Sequence, residues 1–123
     1  MFVKTRKKHL FEARRRRILG AAMMIRDGLS IEERRRVYVF GSWVWGWPHE
    51  RSDLDVAIDD RYMDAGESLK FLKKVLPEGY EDDIDILYIT EAPGYLRRKI
   101  LNEGVGIDEA VERLKSGRFF RAE

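Results

Sequence analysis

The stretch that decides the fold reads VYVFGS at residues 37–42, WVWGWPHERS at residues 43–52 and DLDVAI at residues 53–58. The first segment is an apolar run that ends in Gly41 and Ser42, and the last opens on Asp53 and Asp55. Successive side chains of a strand point to opposite faces, so we expect the two carboxylates on one face and their apolar neighbours in the core. Two carboxylates so close repel each other and favour a cation between them.

The Gly41-Ser42 turn suits an anion for a physical reason. Glycine lets the backbone approach a phosphate, the serine hydroxyl donates to it, and a helix that follows offers unpaired N–H groups. The same two residues also suit an ordinary strand-to-helix turn.

A third carboxylate is available farther along the chain. Asp83 and Asp85 share one face of a predicted strand, and either would complete a site for two Mg²⁺ ions with Asp53 and Asp55. Asp85 is the preferred candidate because Ile84 and Ile86 flank it, whereas Asp83 belongs equally to an acidic loop. The alternative is that these acids merely face solvent from a half-buried strand.

Apolar periodicity and capping residues predict an α/β chain, a small sheet flanked by helices. The predicted helices cover about residues 7–27, a short turn near residue 43, and residues 64–76, 93–104 and 108–114. The predicted strands cover about residues 36–40, 54–58 and 83–89.

Composition narrows the function classes. At 123 residues the chain is expected to form a single domain, and the absence of cysteine excludes disulfides, thiolate zinc sites and a cysteine nucleophile. Arginines cluster at residues 14–17 and 34–36, either as solvated helical faces or as sites for phosphate or nucleic acid. No apolar stretch approaches the roughly 20 residues of a membrane span, so a cytoplasmic protein is expected.

The motif resembles the minimal nucleotidyltransferases of the DNA polymerase beta superfamily. Their pattern is Gly-Ser, ten residues, Asp, one residue, Asp, which Gly41-Ser42 and Asp53-Leu54-Asp55 match; Ile84-Asp85-Ile86 matches the third carboxylate. The resemblance implies a palm-like fold with a small mixed sheet. Its motif core would span about residues 37–104, with an N-terminal helix at about 7–27 and a C-terminal tail at about 108–123.

The resemblance also implies an activity and partners. A nucleotide would be transferred from an NTP to a hydroxyl acceptor with release of pyrophosphate, and AMP from ATP is the first candidate. Two Mg²⁺ ions on Asp53, Asp55 and Asp85 would assist the reaction. Small members are often antitoxin partners of HEPN-type toxins, and some transfer AMP to a toxin tyrosine. The expected partners are therefore an NTP, a HEPN-type toxin and a second copy of the chain, but neither a membrane nor nucleic acid. The alternative is a non-catalytic antitoxin-type binding partner.

The chain departs from the family pattern in the loop between the motifs. The family commonly has Ala-Arg-Gly after Gly-Ser, where this chain has Val44-Trp45-Gly46. Arg51 and Ser52 are the remaining candidate nucleotide contacts in the loop, beside Gly41 and Ser42.

The loop also carries all three tryptophans and one histidine, and these residues have two interpretations each. Tryptophans 43, 45 and 47 would either stack on a base or serve packing or a dimer contact. His49 is either a surface residue or a phosphate contact. Outside the loop, Phe119 and Phe120 either tether the C-terminus or form a patch for a partner.

Overall fold

The computed structural model describes the backbone of residues 2–117 and the side chains of residues 8–117. The helices are α1 (Phe2–Gly28), α2 (Ile31–Arg34), α3 (Ser42–Trp45), α4 (Ala65–Val75), α5 (Gly94–Glu103) and α6 (Ile107–Ser116). The strands are β1 (Val37–Phe40), β2 (Leu54–Ile58), β3 (Ile84–Tyr88) and β4 (Val105–Gly106). Phe119 and Phe120, and the end of the predicted C-terminal tail, lie outside the described residues.

The four strands form one mixed sheet in the order β3-β2-β1-β4. β1 runs antiparallel to both of its neighbours, whereas β2 and β3 are parallel. The register places Phe40 of β1 opposite Asp55 of β2, and Asp55 opposite Asp85 of β3. The predicted α/β class with a small mixed sheet flanked by helices is confirmed.

One face of the sheet holds the main core. Leu54, Val56 and Ile58 point into it, and Ile18 and Ile25 of α1 are fully buried there. This alternation is what the DLDVAI segment predicted, because every second residue of β2 lies on the same face. Asp55 and Ala57 therefore point to the opposite face, where α5 packs through Ile100. Within the described residues, no helix has the length and apolar character needed to cross a membrane.

The predicted elements differ from the structure at several boundaries. Asp64 caps α4 by accepting from the Glu67 backbone N–H at 2.8 Å, as the capping pair predicted. β3 begins at Ile84, because Glu81–Asp83 form a 3₁₀ turn, so Asp83 precedes the strand. Two short elements, α2 and β4, had not been predicted; α2 has a complete capping box between Ser30 and Glu33.

Gly41 is the backbone position on which this arrangement depends most. Its φ is +79°, in the region that L side chains rarely adopt. A methyl group at this position would also overlap the Asp55 carboxylate. The glycine is thus required both by the turn and by the carboxylate beside it.

Gly41→Ala should therefore lower the free energy of unfolding by more than backbone strain alone. Gly79→Ala is the matched control, since Gly79 has φ +90° but open space where a Cβ would project. We expect the control to lose about 1–3 kcal/mol from strain, and Gly41→Ala to lose clearly more in urea unfolding. Adding Asp55→Ala to Gly41→Ala should recover part of that excess; equal losses for the two glycines would contradict the contact.

Candidate active site

Asp55 and Asp85 lie side by side at the wall of a pocket of about 230 Å³. Parallel pairing of β2 and β3 brings them together, because their positions are in register across the two strands. Asp85 is exposed, whereas Asp55 is partly buried. The pocket has apolar walls apart from these two acids, and its lining residues are Phe40, Asp55, Asp85, Ile86, Leu87 and Leu96.

The electrostatics of Asp55 are those of a crowded carboxylate. Burial raises the pKa of Asp55 to about 6, and the negative charges of Asp85 and Asp53 contribute in the same direction. The charged form of this side chain is therefore unfavourable unless a cation is near. Carboxylate oxygens are the ligands that Mg²⁺ prefers, so the donor set fits a divalent cation.

Asp53 is turned toward an arginine of α1. Arg14 Nη2 donates to Asp53 Oδ1 at 2.7 Å, and Arg14 Nε donates to the Ser52 carbonyl at 3.0 Å. The third nitrogen of the guanidinium, Nη1, donates to Asp83 Oδ1 at 2.5 Å. Arg14 therefore bridges the start of β2 to the turn that precedes β3.

Asp83 belongs to this ion-pair network and not to the pocket. Burial by itself would raise the pKa of Asp83, but hydrogen bonds from Arg14 and Arg17 hold that pKa below its usual value. Its side chain is only 12% exposed, and Arg17 Nε donates to Oδ2 at 2.8 Å. Of the two candidates for a third carboxylate, the structure places Asp85 beside Asp55.

The described residues contain no group of three or more His, Cys, Asp or Glu side chains arranged to hold a metal ion. Asp53, the third predicted ligand, is paired with Arg14 at this point. Asp55 and Asp85 are the two carboxylates that face the pocket together. Metal binding by all three acids stays a prediction, and it requires Asp53 to share or leave its arginine.

The Gly41-Ser42 turn follows β1 directly and starts α3, a helix of a single turn. The Val44 and Trp45 N–H groups both donate to the Gly41 carbonyl, at 3.0 and 2.7 Å. A helix this short has little dipole, so a phosphate here would depend on the Gly41 backbone and the Ser42 hydroxyl.

The other two predicted nucleotide contacts lie in the loop before β2. Ser52 is 7% exposed, and its hydroxyl accepts from the His49 N–H at 2.8 Å. His49 Nδ1 accepts from the Arg51 N–H at 3.0 Å, which folds the loop upon itself. The Arg51 side chain is exposed. Ser52 and His49 thus close the loop, and nucleotide binding by Ser52 and Arg51 stays a prediction.

The three tryptophans occupy three different environments. Trp43 is buried, stacks on Phe11 at 5.5 Å and donates from Nε1 to the Ser52 carbonyl at 3.1 Å. Trp45 Nε1 donates to the Glu103 carbonyl at 3.1 Å. Trp47 is 58% exposed, with a positive φ of 69°. Packing is therefore the role of Trp43, while Trp47 keeps an accessible ring.

A family model described as Polymerase beta, Nucleotidyltransferase matches residues 29–112. The chain belongs to this nucleotidyltransferase family. Searches of curated proteins and of solved structures found no match to the chain. The matched segment contains both motifs and β3, so the predicted superfamily is confirmed.

α1 lies before the segment that matches the nucleotidyltransferase family, yet it supplies Arg14 to Asp53. The run of arginines at 14–17 predicts a solvated helical face or an anion site, and the pairing of Arg14 with Asp53 differs from both. A usable signal was the three-residue spacing of Arg14 and Arg17, which puts both on one side of a helix. The second run is also paired internally: Arg34 with Asp108, Arg35 with Glu32 and Arg36 with Glu67.

Arg14→Met should lower the free energy of unfolding by about 1–3 kcal/mol, because buried Asp83 loses one charged donor and the Ser52 carbonyl loses another. Arg16→Met is the matched control, since Arg16 is an exposed residue of the same run. Chemical denaturation at neutral pH measures both. Equal stability of the two variants would contradict a bridging role for Arg14.

Asp55→Asn should raise the melting temperature at pH 7.5 and leave it unchanged near pH 4. The pKa of Asp55 is about 6 in the folded protein, whereas its ordinary value is 3.8. The unfolded chain therefore releases this proton at lower pH than the folded protein does, and the wild type loses stability as the pH rises from about 4 to about 6. The amide carries no charge and escapes this loss. Thermal melts across pH without divalent cations, with exposed Asp82→Asn as control, measure the difference; a pH-independent gap would contradict it.

Proposed function

We propose that this nucleotidyltransferase-family chain transfers a nucleotide from an NTP to a hydroxyl acceptor and releases pyrophosphate. The first candidate for the nucleotide is AMP, with ATP as its donor. The observation that carries the proposal is the pair Asp55 and Asp85 in register at a pocket beside the Gly41-Ser42 turn. A family motif with its acids dispersed could not gather a cation and a triphosphate at one place.

Asp55 and Asp85 would hold Mg²⁺, and Asp53 would join them when it shares or leaves Arg14. Bound there, two Mg²⁺ ions would lower the pKa of the attacking hydroxyl and offset the charge of the triphosphate. A cation would also remove the repulsion that raises the pKa of Asp55. The pair therefore has a physical reason to bind a metal before it binds nucleotide.

The remaining steps fall to the chain's own side chains. Ser42 donates its hydroxyl to the phosphates, while Gly41 leaves the space in which Asp55 sits. The acceptor oxygen forms a bond to the α-phosphorus as the bond to pyrophosphate breaks. Its proton passes to Asp85, which is exposed and can release it to solvent. The apolar wall of Phe40, Leu87 and Leu96 keeps the reacting groups together.

A second candidate function is an antitoxin-type partner that binds a HEPN-like toxin without catalysis. It is favoured by the lack of a three-ligand metal group among the residues that the structure describes. It is also favoured by the replacement of the family arginine in residues 44–46. In that case the acids would be dispensable for neutralising the toxin, and the contact surface would carry the function.

The test is transfer of label from α-labelled ATP, with Mg²⁺, in lysate of the protein's own source. We expect the wild type to label a macromolecule, and Asp55→Asn or Asp85→Asn to reduce labelling about 10²-fold or more, because each removes charge stabilisation at the reacting phosphate. Asp82→Asn, an exposed acid outside the pocket, should label normally. At the acceptor band that appears only with the wild type, γ-labelled ATP should leave no label, which separates nucleotidyl from phosphoryl transfer by this protein.

Absence of label from all four NTPs would overturn the transferase proposal. If Asp55→Asn then still neutralised a co-expressed HEPN-type toxin, the non-catalytic partner would be supported. Labelling that survives both Asp55→Asn and Asp85→Asn would show that another site acts, and would contradict the assignment of these acids.

A further inference from the structure

Lys99 of α5 has an unusual position for a surface lysine. Its ammonium nitrogen lies 4.3 Å from the centre of the Trp45 ring. Within the described part of the chain, no carboxylate lies within ion-pair distance of this nitrogen. A cation on an aromatic face and without an acidic partner keeps its charge available for an anion.

The ring beneath Lys99 is fixed to the Gly41-Ser42 turn. The Trp45 backbone N–H donates to the Gly41 carbonyl at 2.7 Å, and Trp45 Nε1 donates to the Glu103 carbonyl at 3.1 Å. The ring also packs against Phe40, with 5.7 Å between ring centres. Lys99 is therefore held near the turn at which we propose that the triphosphate binds.

α5 places the same lysine one helical turn from a residue that lines the pocket. Leu96 lines the pocket together with Asp55 and Asp85, and Lys99 follows Leu96 by three residues. Residues three apart lie on the same side of a helix, so Lys99 continues the side of α5 that faces the pocket. Phe40 lines the pocket and also packs against the Trp45 ring, so the ring on which Lys99 rests is in contact with a pocket residue.

Arg51 has an exposed side chain in the loop before β2 and stays a predicted nucleotide contact. Two other cations, on α5 and α6, donate to backbone carbonyls. Arg113 donates to the Val44 carbonyl, but it also pairs with Glu109 at 2.6 Å. Arg97 of α5 donates to the Thr90 carbonyl at 3.3 Å. Lys99 differs from these cations because it rests on a ring that is itself hydrogen-bonded to the turn.

We propose that Lys99 binds the polyphosphate of the nucleoside triphosphate. This inference rests on the proposed function and deepens it, because it assigns the charge missing from residues 44–46, where the family has an arginine. Carboxylates repel a triphosphate, so positive charge near Asp55 and Asp85 would favour its binding. Lys99 is exposed, and a lysine on a flexible stem can turn from an aromatic ring to a phosphate, since the ring holds it weakly.

The test compares the binding of Mg-ATP, AMP and adenosine to the whole chain by isothermal titration calorimetry. Lys99→Met should weaken Mg-ATP about 10- to 100-fold, the loss expected for one charged hydrogen bond, and AMP less. Adenosine should be unaffected, because it carries no phosphate. Lys99→Arg should restore most of the affinity for Mg-ATP.

Arg98→Met is the matched control, because Arg98 is a cation of the same helix that points about 100° away from Lys99. We expect its affinity for Mg-ATP to stay within about twofold of the wild type, as for a screened surface charge. Thermal melts of all variants check that folding is unchanged.

Each other result overturns a separate claim. A wild type that binds no Mg-ATP would remove the proposed function, and the role of Lys99 with it. A wild type that binds Mg-ATP while Lys99→Met behaves like Arg98→Met would overturn the Lys99 proposal alone. An equal loss for Mg-ATP and adenosine would show that Lys99 supports the Trp45 ring and does not contact phosphate.

Discussion

The parallel pairing of β2 with β3 is the constraint on which the candidate site depends. It sets Asp55 against Asp85, and burial next to other carboxylates then raises the pKa of Asp55 to about 6. The turn after the neighbouring strand β1 makes room for this acid, because it begins at Gly41, where any side chain would meet the carboxylate. The site therefore stores unfavourable negative charge that a cation relieves.

Two cationic side chains from helices frame that negative charge. On one side, Arg14 of α1 pairs with Asp53 and Asp83 and keeps the start of β2 in place. On the other side, Lys99 of α5 rests on Trp45 beside the turn after β1. The first cation is tied by three hydrogen bonds, whereas the second rests on an aromatic face. This difference suits a structural role for the arginine and a ligand role for the lysine.

Much of the fold was predictable because its signals are local. The alternation of polar and apolar residues at 53–58 predicted which side chains of β2 enter the core, and the pair Asp64 and Glu67 predicted where α4 begins. The short elements α2 and β4 could not be predicted from periodicity, because they contain only four and two residues. The start of β3 was placed one residue early, because an acidic run looks alike in a strand and in the 3₁₀ turn that precedes it.

By itself, the sequence determined the motif spacing, the face of β2 from which Asp55 projects, and the family to which the chain belongs, because these follow from neighbours along the chain. The tertiary structure alone decided that Asp83 joins the Arg14 network, that Arg14 reaches Asp53 across 39 residues, and that Lys99 meets Trp45. It also places Asp85, the candidate preferred from the sequence, beside Asp55. Those contacts depend on where separate elements pack against one another, and no local period encodes that.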